Sequence, residues 1–492
     1  MISRTVIFVV LTGLAVTGFV PSVRGQTVKP LTLQASIDLA QGQSPAAVSA
    51  RLTFAQSYWS YRGSRSQVLP TVFLSADGPG LRRSIEELDQ DDGTVEYVER
   101  NSTSGQARLS IAQPILWTGG QLFVSSRLSR LNNRFANTDF TQWQSAPLVL
   151  ALSQPIFQFN QLKWDRRTEP LRYEVARREL RADLEDIAID ITRRFFAVYI
   201  SQMNLEIATF NVAINDTIYT LSQGRFEIGK IAENDLLQSE LALLNAQNEQ
   251  SSASIAYDAA VQDLKLALDL PYDAALEIRP PARIPDMSVD PNEAVKQSRR
   301  NRPAYLDLDL DAVEARREVA RARRNNGFSA NLTASYGLNQ SSDIFDRVYR
   351  DPLSQQQLTL SLQVPILQWG QGKAQVEAAL ARRQQVEQDA DVRRKELDQE
   401  VYFEALQQMQ LQQQVRIAAK ADTVATRRFD VAKNRYLIGK IDITELFNAQ
   451  REKDNARRSY VESLRQFWTS YFNLRRLTLY DFLTGMTIEV VE

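Results

Sequence analysis

The stretch Gly224-Arg225-Phe226-Glu227-Ile228-Gly229-Lys230-Ile231 returns 210 residues later as Asn434-Arg435-Tyr436-Leu437-Ile438-Gly439-Lys440-Ile441, with five positions of eight identical and Phe exchanged for Tyr. The same offset carries Leu152, Pro155, Ile156, Gln161 and Lys163 onto Leu362, Pro365, Ile366, Gln371 and Lys373. Matches at one fixed offset, spread over about 80 residues, mark a duplication of a unit of roughly 200 residues. The halves are read as 26–270 and 304–476, with 477–492 as a tail. Between them, 271–303 holds Pro271, Pro280, Pro281, Pro285, Pro291 and Pro303. Proline breaks helices and favours extended backbone, so this segment is expected to connect the halves outside the main helices.

Within each half the order is a helix, a strand region, a long helix, a sharp break and a second long helix. Residues 165–222 contain no Gly and one Pro, Pro170, which suits the first turn of a helix. As one helix this stretch would be about 87 Å long, far beyond a globular helix. Its apolar residues form two seams. One runs through Leu180, Leu184, Ile187, Ile191, Val198, Leu205, Val212 and Tyr219. The other runs through Phe196, Ile200, Met203, Ile207, Phe210, Ile214 and Leu221. They are displaced by two residues, about 200° around the axis, so the helix needs a neighbour on each of two opposite sides. A two-stranded coiled coil needs one seam only. Opposed seams suit side-by-side helices closing into a tube, although a helix buried in a bundle has them too. Antiparallel partners are expected over 232–268 and 443–476, after breaks at Gly229 and Gly439. The helical hairpins therefore span about 165–270 and 373–476. The Gln-rich run at 407–414 reads either as a solvated face or as channel lining.

The strand regions, about 68–155 and 328–366, show period-2 alternation. Phe328, Ala330, Leu332, Ala334 and Tyr336 alternate with Ser329, Asn331, Thr333 and Ser335. Leu358, Leu360, Leu362 and Val364 alternate with Thr359, Ser361 and Gln363. One apolar and one Ser/Thr/Gln face is the pattern of a half-buried sheet, or of a barrel with lipid outside and water within. Trp117, Trp143, Trp164 and Trp369 lie near the strand ends, as in an aromatic girdle. In the first half, strands are expected at Val68–Ser75 and Leu148–Gln154. A further hairpin, Arg108–Trp117 and Gln121–Leu131, turns at Thr118-Gly119-Gly120. The acidic stretch Leu81–Gly105 reads as an exposed loop.

Thr5–Val23 is uncharged, its apolar run from Val6 to Val20 is short for a spanning helix, and Val23 and Gly25 suit cleavage before Gln26. Residues 1–25 are read as a secretory signal peptide, with an N-terminal membrane anchor as the alternative. Without them, 56 basic residues face 59 acidic ones, which leaves no basic footprint for nucleic acid. The chain has no His and no Cys. That removes Cys/His zinc sites, Ser-His-Asp and Cys-His nucleophiles, iron–sulfur clusters and disulfides, and no cofactor is expected.

These features resemble the TolC-type outer-membrane efflux channel family. The resemblance rests on the duplication, the strand-then-hairpin order and the two breaks. The breaks are Arg225-Phe226-Glu227-Ile228-Gly229 followed by Asp235, and Arg435-Tyr436-Leu437-Ile438-Gly439 followed by Glu445. Leu152-Ser153-Gln154-Pro155-Ile156-Phe157 matches the family's strand-to-helix junction. The resemblance implies a mainly α fold with a β-barrel part, assembled as a homotrimer. The strands would pool into one transmembrane barrel in outer-membrane lipid, and the helical hairpins would form an α-barrel across the periplasm. Gly229 and Gly439 would be the periplasmic tips, where a periplasmic adaptor and an inner-membrane pump dock, and no catalytic site is implied. The family has two strands per repeat, so the hairpin near Gly119 is a departure. So is Ile441, beside Lys440, where the family often places a basic gating residue.

Asp235 and Glu445 each lie six residues after their tip glycine, near the start of a returning helix. A carboxylate there answers the helix dipole. With threefold symmetry, Glu445 would also ring the axis, while Tyr436 and Lys440 flank the same turn, placed to bond a neighbouring hairpin. The expected function is the exit duct of a tripartite efflux or type I secretion system. A periplasmic adaptor or other coiled-coil interaction protein is the alternative, and it would need one hairpin rather than two. A carboxylate-based hydrolase would need paired carboxylates off the helix surfaces.

Overall fold

The computed structural model describes residues 30–90, 93–135, 138–281 and 283–489. The signal-peptide reading at 1–25 lies outside them. In chain order the elements are β1 (Leu31–Thr32), α1 (Leu33–Gln43), α2 (Pro45–Ser66), β2 (Thr71–Asp89), β3 (Val95–Ile115), β4 (Gly120–Phe135), β5 (Thr138–Ile156), α3 (Gln161–Glu227), α4 (Glu233–Ala267), β6 (Ile278–Arg279), α5 (Pro291–Asn301), α6 (Pro303–Asn325), β7 (Ser329–Ser342), β8 (Leu353–Gln363), α7 (Gln371–Leu437), α8 (Ile443–Thr478), β9 (Tyr480–Asp481) and β10 (Met486–Thr487). The chain is mostly helical with one large sheet.

The 210-residue offset recurs in three dimensions. α3 and α7 are both 67 residues long and begin at Gln161 and Gln371; α4 and α8 begin at Glu233 and Ile443. α3 packs on α4 along one side and on α8 along the other, and α7 packs on α8. The wall therefore runs α4–α3–α8–α7. The two seams of α3 fill these contacts: Leu184, Ile191 and Val198 are buried, and so are Phe196, Met203 and Ile207. α3 starts four residues earlier than its Gly-free stretch because the Asn160 side chain accepts from the Lys163 backbone N–H, which caps the helix. Pro170 consequently lies inside the helix rather than in its first turn. The lost backbone hydrogen bond is outweighed by continuous packing of α3 against α2 and α6 on that segment.

The main core lies where both hairpins meet α1 and the inter-repeat segment. Phe195, Phe196, Phe467 and Phe472 are fully buried there. The Pro-rich connection is not confined to the outside. Ile278 pairs in a short parallel ladder with Leu31, and Met287 and Val289 enter the core. Pro291 and Pro303 open α5 and α6, because proline suits the first helical turn, where no N–H is needed.

All six long strands form one sheet in the order β2-β3-β4-β5-β7-β8, antiparallel throughout. The hairpin at Gly119 is present as β3–β4, with Gly119 at φ 75°. The stretch Leu81–Gly105 is not an exposed loop. β2 and β3 run through it and pair from Thr71↔Ala112 to Asp89↔Val95. Cross-strand ion pairs, Arg83–Glu99 at 2.6 Å and Arg100–Glu86 at 2.9 Å, stitch this polar part. Ladder hydrogen bonds and charge pairs replace the apolar alternation that normally marks a strand.

Candidate functional site: the helical tips and the strand wall

Both helical breaks are built by the same backbone device. The Gly229 N–H donates to the Phe226 carbonyl at 2.8 Å and the Lys230 N–H to the Arg225 carbonyl at 2.8 Å. At the second tip, Gly439 donates to Tyr436 and Lys440 to Arg435, each at 2.9 Å. Gly229 and Gly439 have φ of 70° and 75°. This left-handed helix stop satisfies the last carbonyls, and glycine adopts it without a Cβ penalty. A Cβ at either glycine would meet no atom within 4 Å. The constraint is conformational rather than steric, about 1–2 kcal/mol for a substituted residue.

The returning helices start differently. α8 is capped by Asp442, whose Oδ1 accepts from the Glu445 N–H at 2.7 Å. α4 starts after Ala232, which has no side-chain acceptor, so Glu233 and Asp235 supply only negative charge to its first turn. Glu445 is exposed and its carboxylate lies 3.9 Å from Arg435. Lys440 is exposed and makes no ion pair among the described residues.

Tyr436 does not stand on an open flank. It is 5% exposed and packs in a small core with Ile214, Ile218, Phe429, Ile443 and Leu446. The first hairpin reaches it through Arg225. The guanidinium lies 5.2 Å from the Tyr436 ring centroid, and its Nη2 donates to the carbonyls of Tyr436 and Leu437 at 3.4 and 3.3 Å. The two tips of one chain are thus tied by a cation–π contact and two hydrogen bonds. The structure brings Tyr436, Lys440 and Glu445 to one tip and Asp235 to the other, with Arg225 between the tips. The sequence places Arg225 in the first break without giving it a role, and it does not mark the cap Asp442. The signal for Arg225 was the repeat itself, which aligns it with Arg435.

At the other end, the register puts like residues on like faces. One transverse row reads Val72, Ile111, Val124, Leu150 and Tyr336, and on the same face lie Leu74, Leu109, Leu152, Leu358, Leu360 and Leu362. The opposite face carries Ser110, Ser125, Ser153, Asn331, Thr333, Ser335, Gln357, Thr359 and Ser361, with Phe73, Phe123 and Val149 among them. Among the described residues the middle of the apolar face is uncovered: Leu74, Leu358 and Leu362 are exposed. Trp143 sits on it with Arg130 5.3 Å from its ring, and Trp117 and Trp369 lie exposed near the helix-side ends of the strands. From Trp143 to Ile156 is 13 residues. That is about 43 Å of strand, or roughly 30 Å of height at a tilt near 45°, a bilayer's apolar thickness. No helix among the described residues is long and apolar enough to cross a membrane, and no His/Cys/Asp/Glu group among them is arranged to hold a metal.

The model of the outer membrane efflux protein family matches residues 121–269 and 295–478. No curated protein matches by sequence. Among solved structures, a membrane protein from Pseudomonas aeruginosa is 16% identical, with a TM-score of 0.65 over 93% of this chain and 92% of that one. The CmeC outer membrane channel of Campylobacter jejuni is 15% identical, with a TM-score of 0.64 over 91% and 85%. The outer membrane protein VceC of Vibrio cholerae is 14% identical, with a TM-score of 0.64 over 92% and 96%. At such identities the likeness is one of fold.

Proposed function

The chain belongs to the outer membrane efflux protein family, resident in the outer membrane with a periplasmic extension, and on that premise we propose that three copies close into a passive exit duct. The observation that carries this reading is a pair of unpartnered apolar stripes at the two rims of the helical wall. Leu237, Leu241, Leu244 and Ile255 are exposed on α4, and Ile417, Val424 and Val431, at heptad spacing, on α7. α4 and α7 are the outer helices of the α4–α3–α8–α7 wall, so neither stripe has a partner helix among the described residues. A head-to-tail contact of α4 with α7 of the next copy covers both and closes a ring. The two-faced sheet supports the same reading, with lipid on the leucine face and water on the Ser/Thr/Gln face.

The absence of cysteine gives a clean test. Leu244 and Val424 each lie 15 residues from their tip glycine, so Leu244→Cys with Val424→Cys puts two thiols at one height. Within a chain they are separated by three helix-to-helix steps of about 8–10 Å each, too far for a disulfide. Oxidation is expected to give a covalent ladder ending at the trimer in non-reducing gels. Monomer alone would overturn the ring.

The duct serves a tripartite efflux or type I secretion system and opens at its periplasmic tip when an adaptor and an inner-membrane pump engage. Gly229 and Gly439 turn the tips, Asp235 and Glu445 place carboxylates at the mouth, and Lys440 stands free to meet a neighbouring hairpin. Arg225 on Tyr436 is the tie that must yield. A half-exposed cation–π contact and long hydrogen bonds are worth about 1 kcal/mol each, which suits a reversible latch. In planar bilayers, Arg225→Ala with Lys440→Ala is expected to raise resting conductance. Tyr436→Phe, which keeps the ring and the carbonyl, is expected to conduct like wild type. Unchanged conductance in the double variant would place the latch elsewhere.

A further inference from the structure

We infer that the β2–β3 hairpin is part of the membrane wall, and that the free edge of β2 pairs with the free edge of β8 in the next copy, so that the barrel has 18 strands. This rests on the three-copy duct proposed above. The family resemblance implies two strands per repeat, hence four per chain; the described residues of this chain form six in one continuous sheet. The additional pair is no appended flap. Val72 on β2 and Ile111 on β3 continue the apolar row of Val124 and Leu150, and beside it Leu74 pairs with Leu109, which meets Ser126 on β4. Ser75, paired with Arg108, and Ser110, paired with Phe73, lie on the opposite face.

The two edges cannot be left as they are. In lipid every backbone N–H and C=O must find a partner, so an open sheet edge is not tolerated at membrane depth. Within one chain β2 and β8 are five strand spacings apart, about 24 Å, and four paired strands fill the gap. A second copy is the occupant that serves both edges at once. Six is an even number, and the sheet is antiparallel throughout, so β2 and β8 run in opposite directions. Head-to-tail pairing then continues the antiparallel order at each junction. It also joins Val72 and Leu74 to Leu358, Leu360 and Leu362, making the apolar belt continuous around the ring. All of β8, Leu353–Gln363, is exposed in the single chain. β2 and β3 continue past the register shift at Asp77/Gly80 into the charged ladder of Arg83–Glu99 and Arg100–Glu86, which rises out of the belt into water.

Barrel diameter grows about linearly with strand number, and 16–18 strands leave an open aqueous lumen. Six strands per copy instead of four widen the outer-membrane lumen by about half. The membrane segment of this duct is therefore no constriction for cargo.

The test is disulfide trapping in the full chain. Leu74→Cys is combined in turn with Leu358→Cys, Leu360→Cys and Leu362→Cys, all on the apolar face, to sample the register of the junction. At least one combination is expected to cross-link copies up to the covalent trimer. Images of the detergent-extracted trimer are expected to show 18 strands. Cross-linking at Leu244 and Val424 with none at the strand positions, or a closed barrel of fewer strands, overturns the 18-stranded wall and leaves the duct standing. Loss of both kinds of cross-link removes the duct itself.

Discussion

Arginine at Leu150 or Leu360 is expected to abolish assembly in the outer membrane. Both leucines sit mid-strand on the uncovered apolar face, Leu150 opposite Val124 and Tyr336, and Leu360 opposite Leu332. A guanidinium on the lipid face near the bilayer midplane costs about 2–4 kcal/mol, and a trimer suffers it three times. The variants should be missing from the heat-sensitive trimer band of the outer-membrane fraction. Thr359→Arg is the matched control. It is adjacent in sequence but on the opposite face, where the side chain meets water, so it should assemble. If Leu360→Arg assembles as well as Thr359→Arg, the leucine face does not contact lipid.

Arg475→Met is expected to destabilise the folded subunit by about 3–5 kcal/mol, read from denaturant unfolding of the extracted protein. Arg475 on α8 donates to Glu185 on α3 at 2.8 Å, and the Glu185 side chain is 2% exposed. The guanidinium also lies against the Tyr471 and Phe472 rings and 3.7 Å from Asp481. Burial pushes the Glu185 carboxyl above the usual carboxylate range, with Arg475 opposing that shift. Without Arg475 the shift grows, so the folded variant holds a proton that the unfolded chain releases near pH 4.3. A raised folded-state value means stability that is present in acid and lost as pH rises. The gap between variant and wild type should therefore be wide at pH 7 and narrow below about pH 4.5. Adding Glu185→Gln to Arg475→Met should recover most of the loss, since it removes the buried unpaired charge. A pH-independent gap would mean that the loss comes from packing against Tyr471 and Phe472.

What the sequence determined by itself was whatever lies in local period and internal repetition. The Gly-free, two-seamed runs could only be long helices with two neighbours, and α3, packed between α4 and α8, meets that requirement. The repeated Ile-Gly-Lys-Ile located both turns, because a left-handed helix stop needs glycine wherever it occurs. Leucine alternation located β8 and the middle of β5. Tertiary structure decided the rest. Residues 81–105 pair as strands although their side chains carry charge on both faces. Outside an apolar belt no alternation is required, and only the opposite strand makes the ladder. Pro170 stays inside α3 because packing against α2 and α6 offsets one missing hydrogen bond. Arg225 meets Tyr436 and Glu185 meets Arg475 across 211 and 290 residues. Such contacts have no periodic signature, since they depend on how the two hairpins lie against each other. The number of strands in the sheet is likewise a tertiary fact, because pairing energy belongs to two strands jointly and to neither alone.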